Sequence, residues 1–168
     1  MVKSMRFSLL VGVIMFDPGT QSLADTYHGD LCWQANYGTE ISWQAGDPSQ
    51  SSPPTTSQAA LRLGTYQKDG GHYALYGRVS GSTESTVYAA HGNAEANGDS
   101  ILMTLVLGGV SSTDNPFSDI FTAVLNAQTL NGTFSAVGTH YTNSGQLGNS
   151  SKLGIHSGSG TLTLVTCP

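Results

Sequence analysis

Apolar and polar side chains alternate with a period of two along much of this chain, the mark of strands with one buried and one wet face. Leu61 and Leu63, Tyr73 and Leu75, Met103 and Leu105, Phe134 and Ala136, and Leu162 and Leu164 fall pairwise on shared faces. Arg62, Thr104, Ser135 and Thr163 lie between them. Segments rich in β-branched and aromatic residues near 28–36, 60–68, 71–80, 85–95, 100–108, 119–127, 130–141 and 159–167 predict eight strands, separated by Gly, Ser, Thr and Asn clusters. The face turned inward at Val87 to His91 is left open by the pattern.

One segment fits two periods. Phe117, Ile120, Phe121, Val124 and Leu125 form a helical stripe that Asp114 and Pro116 could start. Strand is the favoured reading, because Ile120 to Val124 is rich in strand formers and Gln128-Thr129 can turn the chain into Leu130 to Phe134. A helix there would leave seven strands.

Lys68-Asp69-Gly70-Gly71 and Asn97-Gly98-Asp99 predict tight hairpins, since Gly and Asn accept the positive φ such turns need. Ser80 to Glu84 is a slightly longer turn. The rhythm breaks at residues 45–58, which carry Pro48 and Pro53-Pro54, at 108–118, and at the Gly, Ser and Asn-rich stretch 142–159. These read as long loops, where ligand entrances often lie, although the third reads better as plain surface.

The chain has two cysteines, Cys32 in the first strand and Cys167 one residue from the end of the sequence. A bond between them requires the first and last strands to be neighbours, so the meander closes on itself. Cys32 alternates with Leu31 and Trp33, and Cys167 shares a face with Thr161, Thr163 and Val165. Both therefore fall on the outer face, as a bridge stapling the seam requires. The fold expected is all-β, a single antiparallel eight-stranded up-and-down barrel closed by a terminal disulfide.

Residues 1–24 read as a signal peptide: Lys3 and Arg6 lead an apolar stretch from Phe7 to Phe16, and Ser22-Leu23-Ala24 offers a cleavage site. The barrel domain is then 25–168, and the protein is expected to be secreted or periplasmic, a compartment in which a lone cysteine pair oxidises. The mature chain keeps 4 basic and 10 acidic side chains, a net charge of −6. That balance argues against nucleic acid and anionic membrane surfaces as partners. An outer-membrane barrel is disfavoured too, because the outward faces hold Thr, Gln, Asp and Arg rather than an apolar band.

Motifs for chemistry are sparse. The sequence has no nucleophile elbow, phosphate loop, zinc-helix motif or calcium-loop spacing. His28, His72, His91, His140 and His156 are scattered, so neither metal nor cofactor is expected. Asn131-Gly132-Thr133 and Asn149-Ser150-Ser151 match a glycosylation pattern and read more simply as turn residues.

Gly29-Asp30-Leu31-Cys32-Trp33 opening the first strand, the Pro-containing loop after it, and a meander ending in Gly160-Thr161-Leu162-Thr163-Leu164 resemble a calycin-type barrel of the lipocalin and avidin kind. The resemblance covers nearly the whole mature chain. It implies the architecture, and Trp33 as a plug at the barrel bottom; it implies no ligand, since three residues separate Gly29 from Trp33 where lipocalins have one.

Three functional classes follow. The leading one is a binding protein for a small, largely apolar ligand, with Trp33, Leu63, Tyr73, Leu75, Met103, Leu105, Phe134 and His140 as interior candidates. His140 would be a polar handle near the mouth, and Gly77, Ala89, Ala90, Gly132 and Ala136 would leave room inside. The second is a structural or interaction protein with a filled barrel. The third is a barrel enzyme of the dirigent or cyclase sort, which needs an ionisable lumenal group such as His91, His140, Tyr73 or Tyr88. The expectation is that the protein is not an enzyme.

Overall fold

The computed structural model describes residues 25–44, 47–51, 54–81, 87–110, 116–142 and 152–168. Residues 1–24, read above as a signal peptide, lie outside them. Nine strands appear: β1 Thr26–Gln44, β2 Asp47–Ser51, β3 Thr55–Asp69, β4 His72–Gly81, β5 Val87–Asn97, β6 Ser100–Val110, β7 Pro116–Asn126, β8 Gly132–Thr142 and β9 Lys152–Val165. Each of β3 to β8 pairs antiparallel with the next, and β1 pairs with both β3 and β9. Eight strands thus form a closed antiparallel barrel, and β2 is a short addition on the far end of β1.

The seam closes as the cysteines require. Trp33 lies opposite Leu164 and Cys32 opposite Val165, and Cys32 and Cys167 form a disulfide with Cα atoms 5.2 Å apart. Cys32 alternates with the inward Trp33, so the bridge lies on the outside. Cys32 is nevertheless only 3% exposed, while Cys167 is half-buried. Beside it, the Tyr27 hydroxyl donates to Asp30 Oδ1 at 2.6 Å and Arg62 binds Oδ2 at 2.7 Å, which together hold the Asp30 carboxyl below its ordinary range.

Residues 116–126 are a strand, not a helix, because β6 and β8 flank them and supply a ladder on both edges. Phe117, Phe121 and Leu125 then share the inner face with Ala123, while Ile120 and Val124 point outward.

All three expected loops need correction: 108–118 is strand as far as Val110 and again from Pro116. Of 45–58, residues 47–51 form β2, and β3 has begun by Thr55. The stretch 142–159 is strand from Lys152 onward. Packing overrides propensity here: β9 places Gly158 inward, where a Cβ would sit 2.7 Å from the Tyr37 ring, so the glycine makes room for a neighbour's aromatic group.

The inner faces meet in one core containing Leu61, Leu63, Leu75, Met103, Leu105, Phe121, Phe134 and Leu162. Of the small residues expected to leave room inside, Ala90 and Ala136 are buried in it, whereas Ala89 faces solvent. Gly77 does not enlarge the interior either: β3 passes so close that a Cβ there would overlap the Arg62 carbonyl. It marks a point where the sheet must bend sharply to close.

Candidate functional site: a cup at the hairpin end

The three tight turns at 69–72, 97–100 and 126–132 gather at one end of the barrel, together with the start of β1. A cavity of about 420 Å³ opens there. Trp33 and Leu31 of β1, Leu75 of β4, Ile101 and Met103 of β6, and Leu125 of β7 supply its apolar wall. Ala94, Ala96 and Ala127 create the space, because neighbouring strands end in methyl groups where the barrel waist carries Leu and Phe. Among the described residues its polar lining consists of His28, Thr65 and Tyr73, with no Asp, Glu, Lys or Arg.

His28 is exposed at the rim, with Nε2 2.8 Å from Gln67 Oε1 and its ring edge-on to Tyr73 at 6.3 Å. Deeper down, Trp33 is 2% exposed and its indole N–H donates to the Leu130 carbonyl at 2.8 Å. That bond fixes the turn closing over the cup. Asn126 Oδ1 accepts from the backbone N–H groups of Gln128 and Thr129 at 3.0 and 2.9 Å, an Asx-type turn. Asn131 Oδ1 accepts from the Leu164 N–H at 2.7 Å, which occupies this residue as a turn anchor. Leu130, held between them at φ 56°, lines the cavity.

Of the expected interior residues, Trp33, Tyr73, Leu75 and Met103 line the cup. Leu63, Leu105 and Phe134 lie in the packed waist beyond it, at 0, 0 and 4% exposure. His140 falls on the opposite half of β8, opposite Phe117 and Gly154, and its side chain lies outside the described residues. The expected entrance among the long connections is thus not where this cavity opens. Bulky rings explain the difference: Tyr37, Phe121 and Phe134 pack against one another in the lumen toward the other end, with centroids 4.7 and 4.6 Å apart.

That other half holds a polar pair. Asp119 Oδ2 and His156 Nε2 are 2.7 Å apart with side chains 2 and 9% exposed, and the His156 ring stacks on Phe117. Ser42 of β1 is the register partner of His156. Tyr37 nearby is half-buried, and desolvation, then the Asp119 and Glu40 carboxylates, push its phenol well above the ordinary 10.0. Tyr88 points inward against Phe117, whereas His91 faces solvent. Among the described residues no three His, Cys, Asp or Glu side chains gather to hold a metal ion.

The alternation does contain a signal for Asp119, which shares its face with Phe117, Phe121, Ala123 and Leu125. Thr65 carries the same signal beside Leu61 and Leu63. His156 carries none, since its Gly and Ser neighbours disguise the strand.

The chain matches no protein-family model, and comparison with curated proteins and with solved structures gave no significant match. The closed eight-stranded barrel is compatible with a calycin-like fold.

Proposed function

We propose that this protein is an exported, secreted or periplasmic binding protein for a small, largely apolar ligand held in the cup. One observation carries the reading: a barrel packed solid at its waist opens into a 420 Å³ apolar cavity, within the roughly 300–1,000 Å³ range of small-molecule sites. At about 30 Å³ per water-sized group, the space suits a ligand on the order of fourteen such groups. The Cys32–Cys167 bridge fits an oxidising compartment, which supports the exported location.

The test uses Trp33, which the Trp43→Phe variant leaves as the sole tryptophan. Hydrophobic compounds of this size are expected to change its emission, and Ala94→Phe, which fills the cup, abolishes the response. Silence across all compound classes, or an undiminished response in Ala94→Phe, overturns the reading.

A second reading, an interaction protein, is favoured by the outside of β6, β7 and β8. Val106, Ile120 and Val137 form one cross-strand row and Leu102 and Val124 another, all about half exposed. Between the rows, Thr122 and Ser135 join hydroxyls at 2.9 Å, and a shallow groove runs past Leu102, Val124 and Thr133. Asp119, which turns inward, is the sole Asp, Glu, Lys or Arg in these strands. The partner proposed is a second copy of this chain: paired about a two-fold axis near Thr122, the ridge of each copy would lie over the groove of the other, on a face free of the like-charge repulsion that separates acidic chains. Light scattering is expected to show a dimer that Ile120→Lys dissolves; a monomer at all concentrations rejects this reading.

A further inference from the structure

Thr65 shares the inner face of β3 with Leu61 and Leu63, lies opposite Leu75, and lines the cup. It is 8% exposed, and its Oγ1 is shut off from solvent without a hydrogen-bond partner among the described residues. A buried hydroxyl in that state destabilises the empty protein, because water was lost and nothing replaced it. Valine has almost the same shape and carries no such cost, and the two preceding inward positions are aliphatic. The hydroxyl thus has no structural use that the empty barrel reveals.

Resting on the binding reading above, we infer that Thr65 is the polar anchor of the cup and that the ligand is a neutral, oxygenated hydrocarbon. The threonine O–H donates to a carbonyl or alcohol oxygen. A change of staggered χ1 well is the motion by which Oγ1 would turn to a ligand in the cup. Neutrality follows from the wall. Among the described residues no Lys or Arg lines it, and His28 is at the rim paired with Gln67, so a carboxylate at the depth of Thr65 would be desolvated without a counter-charge. An alkane, at the other extreme, would leave the hydroxyl unpaired.

The experiment compares octanone, octanol, octanoate and octane by Trp33 emission in Trp43→Phe, alone and combined with Thr65→Val or Thr65→Ser. The ratio of octanone or octanol affinity to octane affinity is expected to be about tenfold higher with Thr65 than in Thr65→Val, with octanoate weakest. Thr65→Val still binds octane and melts at a higher temperature when empty; Thr65→Ser keeps the parent ratio. An octanone-to-octane ratio that is unchanged in Thr65→Val overturns the anchor while binding stands. Failure of all four compounds to bind removes the binding reading and the anchor with it.

Discussion

Asp119 Oδ2 reaches His156 Nε2 at 2.7 Å by crossing over Gly138, the residue between them in the β7-β8-β9 ladder. A Cβ on residue 138 would overlap Asp119 Oδ1, so the pair exists because that position is glycine. The other carboxylate oxygen, Oδ1, has no partner among the described residues, which leaves the aspartate dependent on His156.

Gly138→Ala is therefore expected to expel the carboxylate or distort the ladder. Removing one member of a buried pair typically costs about 3–5 kcal/mol, and His156→Ala is expected to fall in that range. Asp119→Leu combined with His156→Ala restores part of the loss, because an uncompensated charge is no longer buried. Urea midpoints of the single and double variants measure this, and additive losses would show that the two side chains do not act as a pair.

The disulfide and the β1–β9 ladder close the same seam, so their loss is not equivalent. Cys32 and Cys167 enclose a loop of 135 residues, for which the chain-entropy argument gives stabilisation of about 5 kcal/mol as an upper figure. Cys32→Ala with Cys167→Ala is expected to lower unfolding stability by about 3–5 kcal/mol while the far-ultraviolet strand signal survives, held by the ladder. Loss of strand signal at low temperature would mean that the bridge, rather than pairing, defines the barrel.

Much of this architecture was legible in the alternation of residues, and the reasons are local. Leu61, Leu63, Met103, Leu105 and Phe134 are inward because their strands follow period two, and Cys32 faces outward because Trp33 beside it does not. The segments read as loops failed for the opposite reason. Gly154, Gly158 and Gly160 carry no side-chain pattern, and the places of Gly158 and Gly160 in β9 are decided by the Tyr37 ring and by neighbouring backbone. The cup's position was illegible as well. It depends on Ala94, Ala96 and Ala127 falling together at one end of a closed ring, which hairpin register sets and no single strand displays.

Alkaline pH is expected to destabilise the protein through Tyr37. Its phenol is raised in the fold by burial and by the nearby carboxylates, relative to 10.0 when exposed. The stabilisation from keeping it neutral is intact below pH 10 and is lost as pH rises from there toward the folded value, because the unfolded chain releases the proton first. Tyr37→Phe keeps the ring against Phe134 and removes the titration. Thermal unfolding between about pH 9 and 11 should fall less steeply in that variant, and identical slopes would assign the alkaline loss elsewhere.

Leu130 separates folding from binding. Its φ of 56° is a left-handed conformation that a leucine adopts at a cost of roughly 1–2 kcal/mol, and glycine would adopt it freely. The strain persists because the Trp33 N–H grips the Leu130 carbonyl and the Asn126 carbonyl accepts the Leu130 N–H at 2.8 Å. What leucine adds is its side chain, half-buried over the cavity. Leu130→Gly relieves the strain and removes the apolar cover, two effects of opposite sign on stability, so unfolding is expected to change by less than about 1 kcal/mol. Ligand affinity has no such compensation and is expected to fall about tenfold, since each Å² of apolar cover withdrawn from the ligand costs roughly 25 cal/mol. Denaturant curves and Trp33 titrations on the same preparation decide the matter. Unchanged affinity with a large drop in stability would make Leu130 a packing residue and deny it any part in holding a ligand.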